Sequence, residues 1–210
     1  AAEAGHPDAM HNLGMCYADG TGVGQDDAKA LSWYHQAVDA EHVEAMFKLG
    51  RCYANGTGVA KDEDEAVRLY RRAANAGSAG AMNNLGSSYA GGSGVVRNDA
   101  EAVRWYGLAA EAGEAYAMVN LGGCYLNGKG VEQDESEAVK WYRKASDAGN
   151  SDGMGYLGRC YAEGTGVAQN DGEAAGWYRK AAEAGNTSAM CSLGLCYAKG
   201  TGVKRDAAEA

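Results

Sequence analysis

Residues 45–80 read AMFKLGRCYANGTGVAKDEDEAVRLYRRAANAGSAG, and this stretch decides the fold. Ala45, Met46, Leu49, Gly50, Cys52 and Tyr53 recur at steps of three and four, which is one buried face of an amphipathic helix, helix A. Gly56 closes that helix, because glycine takes positive φ without a Cβ penalty. The loop Gly56-Thr57-Gly58-Val59 follows, with Val59 expected to tuck onto the core. Asp62 then opens helix B as its N-cap, with Glu65 three residues on in the capping-box arrangement. Ala66, Val67, Leu69, Tyr70, Ala73 and Ala74 form the apolar face of helix B, and Gly77 ends it.

The stretch returns along the whole chain. Ala45-Met46 recurs every 36 residues as Ala9-Met10, Ala81-Met82, Ala117-Met118, Gly153-Met154 and Ala189-Met190. A fixed period of this size marks a stacked array in which each unit buries its apolar face against its neighbours. The cap recurs as Asn98/Glu101, Asp134/Glu137, Asn170/Glu173 and Asp206/Glu209, while Asp26/Lys29 keeps the cap and loses the box. The Leu69 slot holds Trp33, Trp105, Trp141 and Trp177 elsewhere. An interior helical glycine costs ~1 kcal/mol against Ala. The return of Gly50 as Gly14, Gly86, Gly122, Gly158 and Gly194 therefore predicts a close helix crossing there. Two helices per unit build an all-α solenoid. Its register divides the chain into the end of a truncated repeat (1–8), five full repeats (9–44, 45–80, 81–116, 117–152, 153–188) and a partial repeat over 189–210. The repeat phase at both ends predicts a piece of a longer protein.

Composition narrows the function classes. With 32 Gly, one Phe and one Pro in 210 residues, the core is expected to be Ala, Leu, Tyr and Trp. The net charge of −9 repels nucleic-acid phosphates and anionic lipid headgroups, so neither is an expected partner. No apolar run reaches the ~20 residues of a membrane-crossing helix. Cys16, Cys52, Cys124, Cys160 and Cys196 share one column, with Ser88 in the sixth slot and Cys191 out of column. Packed helices stand roughly 8–10 Å apart, beyond the about 7 Å that a disulfide spans. The column thiols are expected to be free, buried and apolar in role, and free cysteines favour a reducing compartment such as the cytoplasm.

The string Leu49-Gly50-x-Cys52-Tyr53-x-x-Gly56-x-Gly58-Val59, with Asp62 and Ala66-Val67-x-x-Tyr70-x-x-Ala73-Ala74, resembles the Sel-1-like repeat, a relative of the tetratricopeptide repeat. The resemblance covers essentially the whole chain. It implies a right-handed superhelix that acts as a scaffold or adaptor in protein assemblies and shares no catalytic residues. Cysteine-paired bacterial members are linked to β-lactam binding or hydrolysis. This chain lacks those pairs and has no Ser-x-x-Lys nucleophile motif. Another branch serves in the endoplasmic reticulum lumen, and Asn55-Gly56-Thr57 and Asn186-Thr187-Ser188 do match the glycosylation sequon.

Slots that vary between copies are expected to face solvent. On helix A four such slots step by three and four along one face. They hold Glu44, Tyr116 and Asp152; His11, Phe47, Asn83 and Val119; Met15, Arg51 and Arg159; and Asn55, Asn127 and Glu163. By resemblance to tetratricopeptide arrays this face lines a concave groove. Its apolar, aromatic and Arg mixture suits a peptide or helix of a partner protein. Helix B carries a cationic stripe through Arg68, Arg104 and Lys140, read as a solvated face with Glu65, Glu101 and Glu137 three residues before each cation. No catalytic residue, cofactor or metal site is nominated. The histidines His6, His11, His35 and His42 lack ligand spacing, and the Gly20-Thr21-Gly22-Val23-Gly24 loop lacks the P-loop Lys. The Met10 column reads as core. The competing expectation is an inert structural spacer that stacks end to end through its termini. Gly153, Gly155, Gly172 and Gly176 make the fifth repeat the expected weak point.

Overall fold

The computed structural model describes residues 2, 5–206 and 208, so Glu209 and most of the 1–4 segment lie outside the described residues. Among the described residues there are eleven α-helices and no strand. They are α1 (Pro7–Asp19), α2 (Asp27–Asp39), α3 (Val43–Asn55), α4 (Glu63–Asn75), α5 (Ala79–Gly91), α6 (Asp99–Glu111), α7 (Ala115–Asn127), α8 (Glu135–Asp147), α9 (Ser151–Glu163), α10 (Asp171–Glu183) and α11 (Thr187–Lys199). Odd-numbered helices are the A helices of the repeat and even-numbered ones the B helices.

The helix ends follow from the residues that make them. Every A helix stops at a left-handed glycine; Gly56, for example, has φ 73° and its N–H bonds to the Cys52 carbonyl. Each B helix starts at its expected cap: the Asp62 side chain accepts from the Glu65 N–H, and Asp134, Asn170 and Asp26 do the same for Glu137, Glu173 and Lys29. Among the described residues the reciprocal half of the capping box is not formed. The Asp62 N–H instead donates to the Tyr53 carbonyl at 3.0 Å, closing the interhelical loop onto the preceding helix. Glu65 is released outward, where both its oxygens accept from Arg68.

The chain forms two compact units, residues 1–105 and 106–210. In the first, α1 pairs with α2, α3 with α4, and α2 and α4 also pack on the A helices that follow them. Its core joins Ala30, Leu31, Tyr34, Met46, Leu49, Val67, Leu69, Tyr70, Leu85 and Trp105. Val59 packs on this core as expected. The second unit repeats the scheme in α7–α11, with Val139, Tyr142 and Leu157 in one cluster and Tyr178 and Ala181 in another.

The recurrent helix-A glycine has the predicted close crossing, and the partner is a tyrosine ring. A Cβ on Gly50 would stand 2.8 Å from Tyr70 Cε1, and one on Gly158 would stand 2.8 Å from Tyr178 Cδ1. Gly14 and Gly122 meet Tyr34 and Tyr142 in the same way. Burial pushes these phenols up, Tyr34 to about 12. No disulfide joins the six cysteines; within the column Cys160 is buried, its thiol pushed up to about 11 by that burial, whereas Cys16, Cys52, Cys124 and Cys196 are only half-buried and so depart from the expected burial. Met46 and Met118 are buried, whereas Met190 is 47% exposed and departs from the core reading of its column.

Candidate functional site

Within each unit, A helices succeed one another and hollows form where two of them meet a B-helix tyrosine. In the first unit Met15, Arg51 and Asn55 line a hollow of about 170 Å³ with Lys48 and Tyr34. In the second, Val119, Asn127 and Arg159 line one of about 240 Å³ with Asn120, Gly123, Tyr142 and Tyr156. Asp152 and Arg159 line another of about 340 Å³ with Tyr156, Tyr178, Asn186, Ser188 and Ser192. Seven of the nominated helix-A residues thereby line one or another of these hollows. Glu44, Asn83, Tyr116 and Glu163 line none of these three, although Tyr116 is 61% exposed.

Two nominated residues are not free surface. His11 is buried, its ring stacked on His42 at 4.7 Å and its Nδ1 without a partner. Burial, then the neighbouring His42, lowers its pKa. Phe47 is half-buried against the core and 6.2 Å from the Tyr70 ring, with Gly80 seated on its edge. The varying slot that holds both is thus partly enclosed by the next repeat.

The acidic slot at the start of helix A ties repeats together. His42 Nε2 meets Asp8 at 3.1 Å, Ser78 Oγ donates to Glu44 at 3.3 Å and Asn186 Nδ2 donates to Asp152 at 2.7 Å. Each of these partners also caps its own helix. A second ladder runs from helix B to the following helix A: Arg71, Arg143 and Arg179 donate to the hydroxyls of Tyr89, Tyr161 and Tyr197 at 2.8–3.0 Å. Arg104, Lys144 and Lys180 cover the rings of Trp105, Trp141 and Trp177. The cationic stripe of helix B is therefore largely engaged within the fold, with Arg68, Arg104 and Lys140 also paired to their i−3 glutamates.

Tyr156 is the site residue that the variable-slot comparison passes over. It stacks on Tyr142 with centroids 5.0 Å apart, is 37% exposed, and carries the Arg159 guanidinium 5.1 Å from its centroid. Both hollows of the second unit share this pair. Its slot reads Asn12, Lys48, Asn84, Asn120, Tyr156 and Ser192, less variable than the four nominated slots, and the one aromatic among polar residues is the signal it carries. Among the described residues no three His, Cys, Asp or Glu side chains gather to hold a metal ion, and no helix is long and apolar enough to cross a membrane.

Repeated pairs of equal helices around a small-residue core define an α-helical repeat protein. The Sel1 repeat family matches residues 7–42, 43–78, 79–114, 115–150, 151–186 and 187–210, and the chain belongs to it. Sel1 repeat proteins are generally non-catalytic protein-interaction scaffolds. Among solved structures, the chain is similar to a Sel1 repeat protein from Oxalobacter formigenes, at 38% identity and TM-score 0.94 over 99% of this chain and 85% of that one. It is likewise similar to c5321, a protective antigen of uropathogenic Escherichia coli with an SLR fold, at 38% identity and TM-score 0.89 over 99% of this chain. The chain spans 44% of that antigen's length. The immunity protein PA5088 of Pseudomonas aeruginosa is similar at 25% identity and TM-score 0.64, over 91% of this chain and 70% of that one. The chain matches no curated protein.

Proposed function

We propose that the chain is a non-catalytic adaptor whose helix-A faces bind an extended peptide or a helix of a partner protein. The observation that carries the reading is the Tyr156–Arg159 pair, held on Tyr142 and open to hollows on both sides. Aromatic and Arg side chains supply most of the energy at protein interfaces when a neighbouring hollow lets them desolvate. Arg51 beside Met15, Lys48 and Asn55 offers a comparable anchor in the first unit. The immunity protein and the antigen similar to this chain are consistent with recognition of other proteins by this fold. Affinity capture tests the reading, with the wild type compared with a Tyr156→Ala/Arg159→Ala variant and a Phe47→Ala/Arg51→Ala/Tyr116→Ala variant. A partner held by the wild type and lost from either variant supports an adaptor. Partners retained by both variants point to another face.

A further inference from the structure

The groove's charge pattern says what kind of segment it takes. The chain carries net charge −9, and its helix-B cations are answered by carboxylates, tyrosine hydroxyls or aromatic rings. Arg159 differs. Its guanidinium lies over the Tyr156 ring, and among the described residues no carboxylate forms an ion pair with it. In the hollow of about 240 Å³ on its α7 side, Arg159 is the one charged lining residue, among the Asn120 and Asn127 side chains and the faces of Tyr142 and Tyr156. On its α11 side the Asp152 carboxylate is already held by the Asn186 amide. The first unit shares only the cation: Arg51 occupies the same slot and lines its hollow with Lys48, but the Asp19 carboxylate lines that hollow too, and the ring 6.0 Å away is the half-buried Phe47, which does not line it.

We propose that the hollow between α7 and α9 receives an internal Asp or Glu side chain of an extended partner peptide, with Arg159 as its counter-ion. This rests on the adaptor reading above and names the chemistry of the segment bound. A guanidinium with free donors matches a carboxylate in two parallel hydrogen bonds. The ring beneath it covers one face of the guanidinium and orients the fork. The hollows on both sides of Tyr156 let the chain run through, which places the carboxylate within the segment rather than at its terminus. A phosphate is a poorer fit, because phospho-motif sites gather several Arg side chains and this hollow has one.

The test is selection of a displayed library of random 12-residue peptides on the 210-residue chain, followed by synthesis of the recovered peptides. Binders that Tyr156→Ala weakens are expected to be enriched in Asp or Glu. Changing that residue to Gln should cost about tenfold or more in Kd, and the Arg159→Gln protein should bind the Glu and Gln forms alike. Far-UV circular dichroism of Arg159→Gln, an exposed position, checks that the variant folds. Groove binders without acidic enrichment, or a phosphoserine form that binds more tightly than the Glu form, overturn the carboxylate assignment and leave the adaptor standing. If no recovered peptide is weakened by Tyr156→Ala or Arg159→Gln, the carboxylate assignment fails; if none is weakened by Phe47→Ala/Arg51→Ala/Tyr116→Ala either, the adaptor reading fails with it.

Discussion

One substitution made at two glycines should have opposite effects. At Gly50, inside α3, an added methyl would sit 2.8 and 2.9 Å from Tyr70 Cε1 and Cδ1 and 3.3 Å from the Ala66 carbonyl. The ring cannot swing away: Tyr70 is buried and its centroid lies 6.2 Å from that of Phe47. Overpacking of this kind costs about 1–3 kcal/mol, against about 1 kcal/mol gained from helix propensity. Gly176, inside α10, would place its methyl in open space with nothing within 4 Å. There the propensity gain of about 0.5–1 kcal/mol stands unopposed. Gly176→Ala should therefore exceed Gly50→Ala in stability by about 1–3 kcal/mol. The assay is urea unfolding followed by fluorescence and by far-UV circular dichroism, comparing midpoints at matched slopes. A control carries the cause: in a Tyr70→Ala background, Gly50→Ala should recover its propensity gain. Equal stabilities for the two single variants would refute the ring-on-glycine packing as the reason for this column.

Other expectations follow from the same contacts. Above pH 10 the unfolded chain ionises its tyrosines while the folded chain keeps the Tyr34 proton until about pH 12. That contribution is complete below pH 10 and is lost between these values, about 2–3 kcal/mol from this residue; a Tyr34→Phe variant should unfold with a shallower dependence on alkaline pH. His11, its pKa lowered by burial, remains neutral while the unfolded chain takes up a proton, so stability should fall as pH drops below 6.5; a His11→Leu chain whose acid unfolding keeps the wild-type slope would contradict this. Trp105→Ala should cost about 3–5 kcal/mol by cavity formation, and Trp105→Phe much less, because it also removes an unpaired buried indole N–H. Amide exchange should be faster across 153–182 than across 45–76, with Gly176 as the main cause; equal protection would assign no cost to those glycines.

The parts of this architecture readable from sequence are those that repeat. The helix pair, the Asp62-type caps, the left-handed stop at Gly56 and the crossing at Gly50 each rest on local chemistry that every copy must solve in the same way. What escaped reading depends on neighbours one repeat away. Glu65 satisfies the capping-box pattern but pairs with Arg68, because the Tyr53 carbonyl has already taken the cap N–H. Asp152 and Glu44 vary between copies and so look free, yet they accept from the next repeat's cap residues. His11 varies and is enclosed by His42, a partner 31 positions on that no local pattern indicates. Tyr156 escaped because tyrosine in a slot otherwise occupied by Asn, Lys or Ser becomes an anchor only once Tyr142 lies beneath it.

The central claim, that partners meet the helix-A faces, is tested most directly by site-specific photocrosslinking. A benzophenone side chain would replace Tyr156 or Tyr116 on the A helices, and Asp64 or Ser136 on exposed B-helix positions. The account predicts a discrete crosslinked protein from position 156 that excess recovered peptide abolishes, and none from 64 or 136. Crosslinks confined to 64 and 136, unaffected by peptide, would move the interface to the opposite face and contradict the claim.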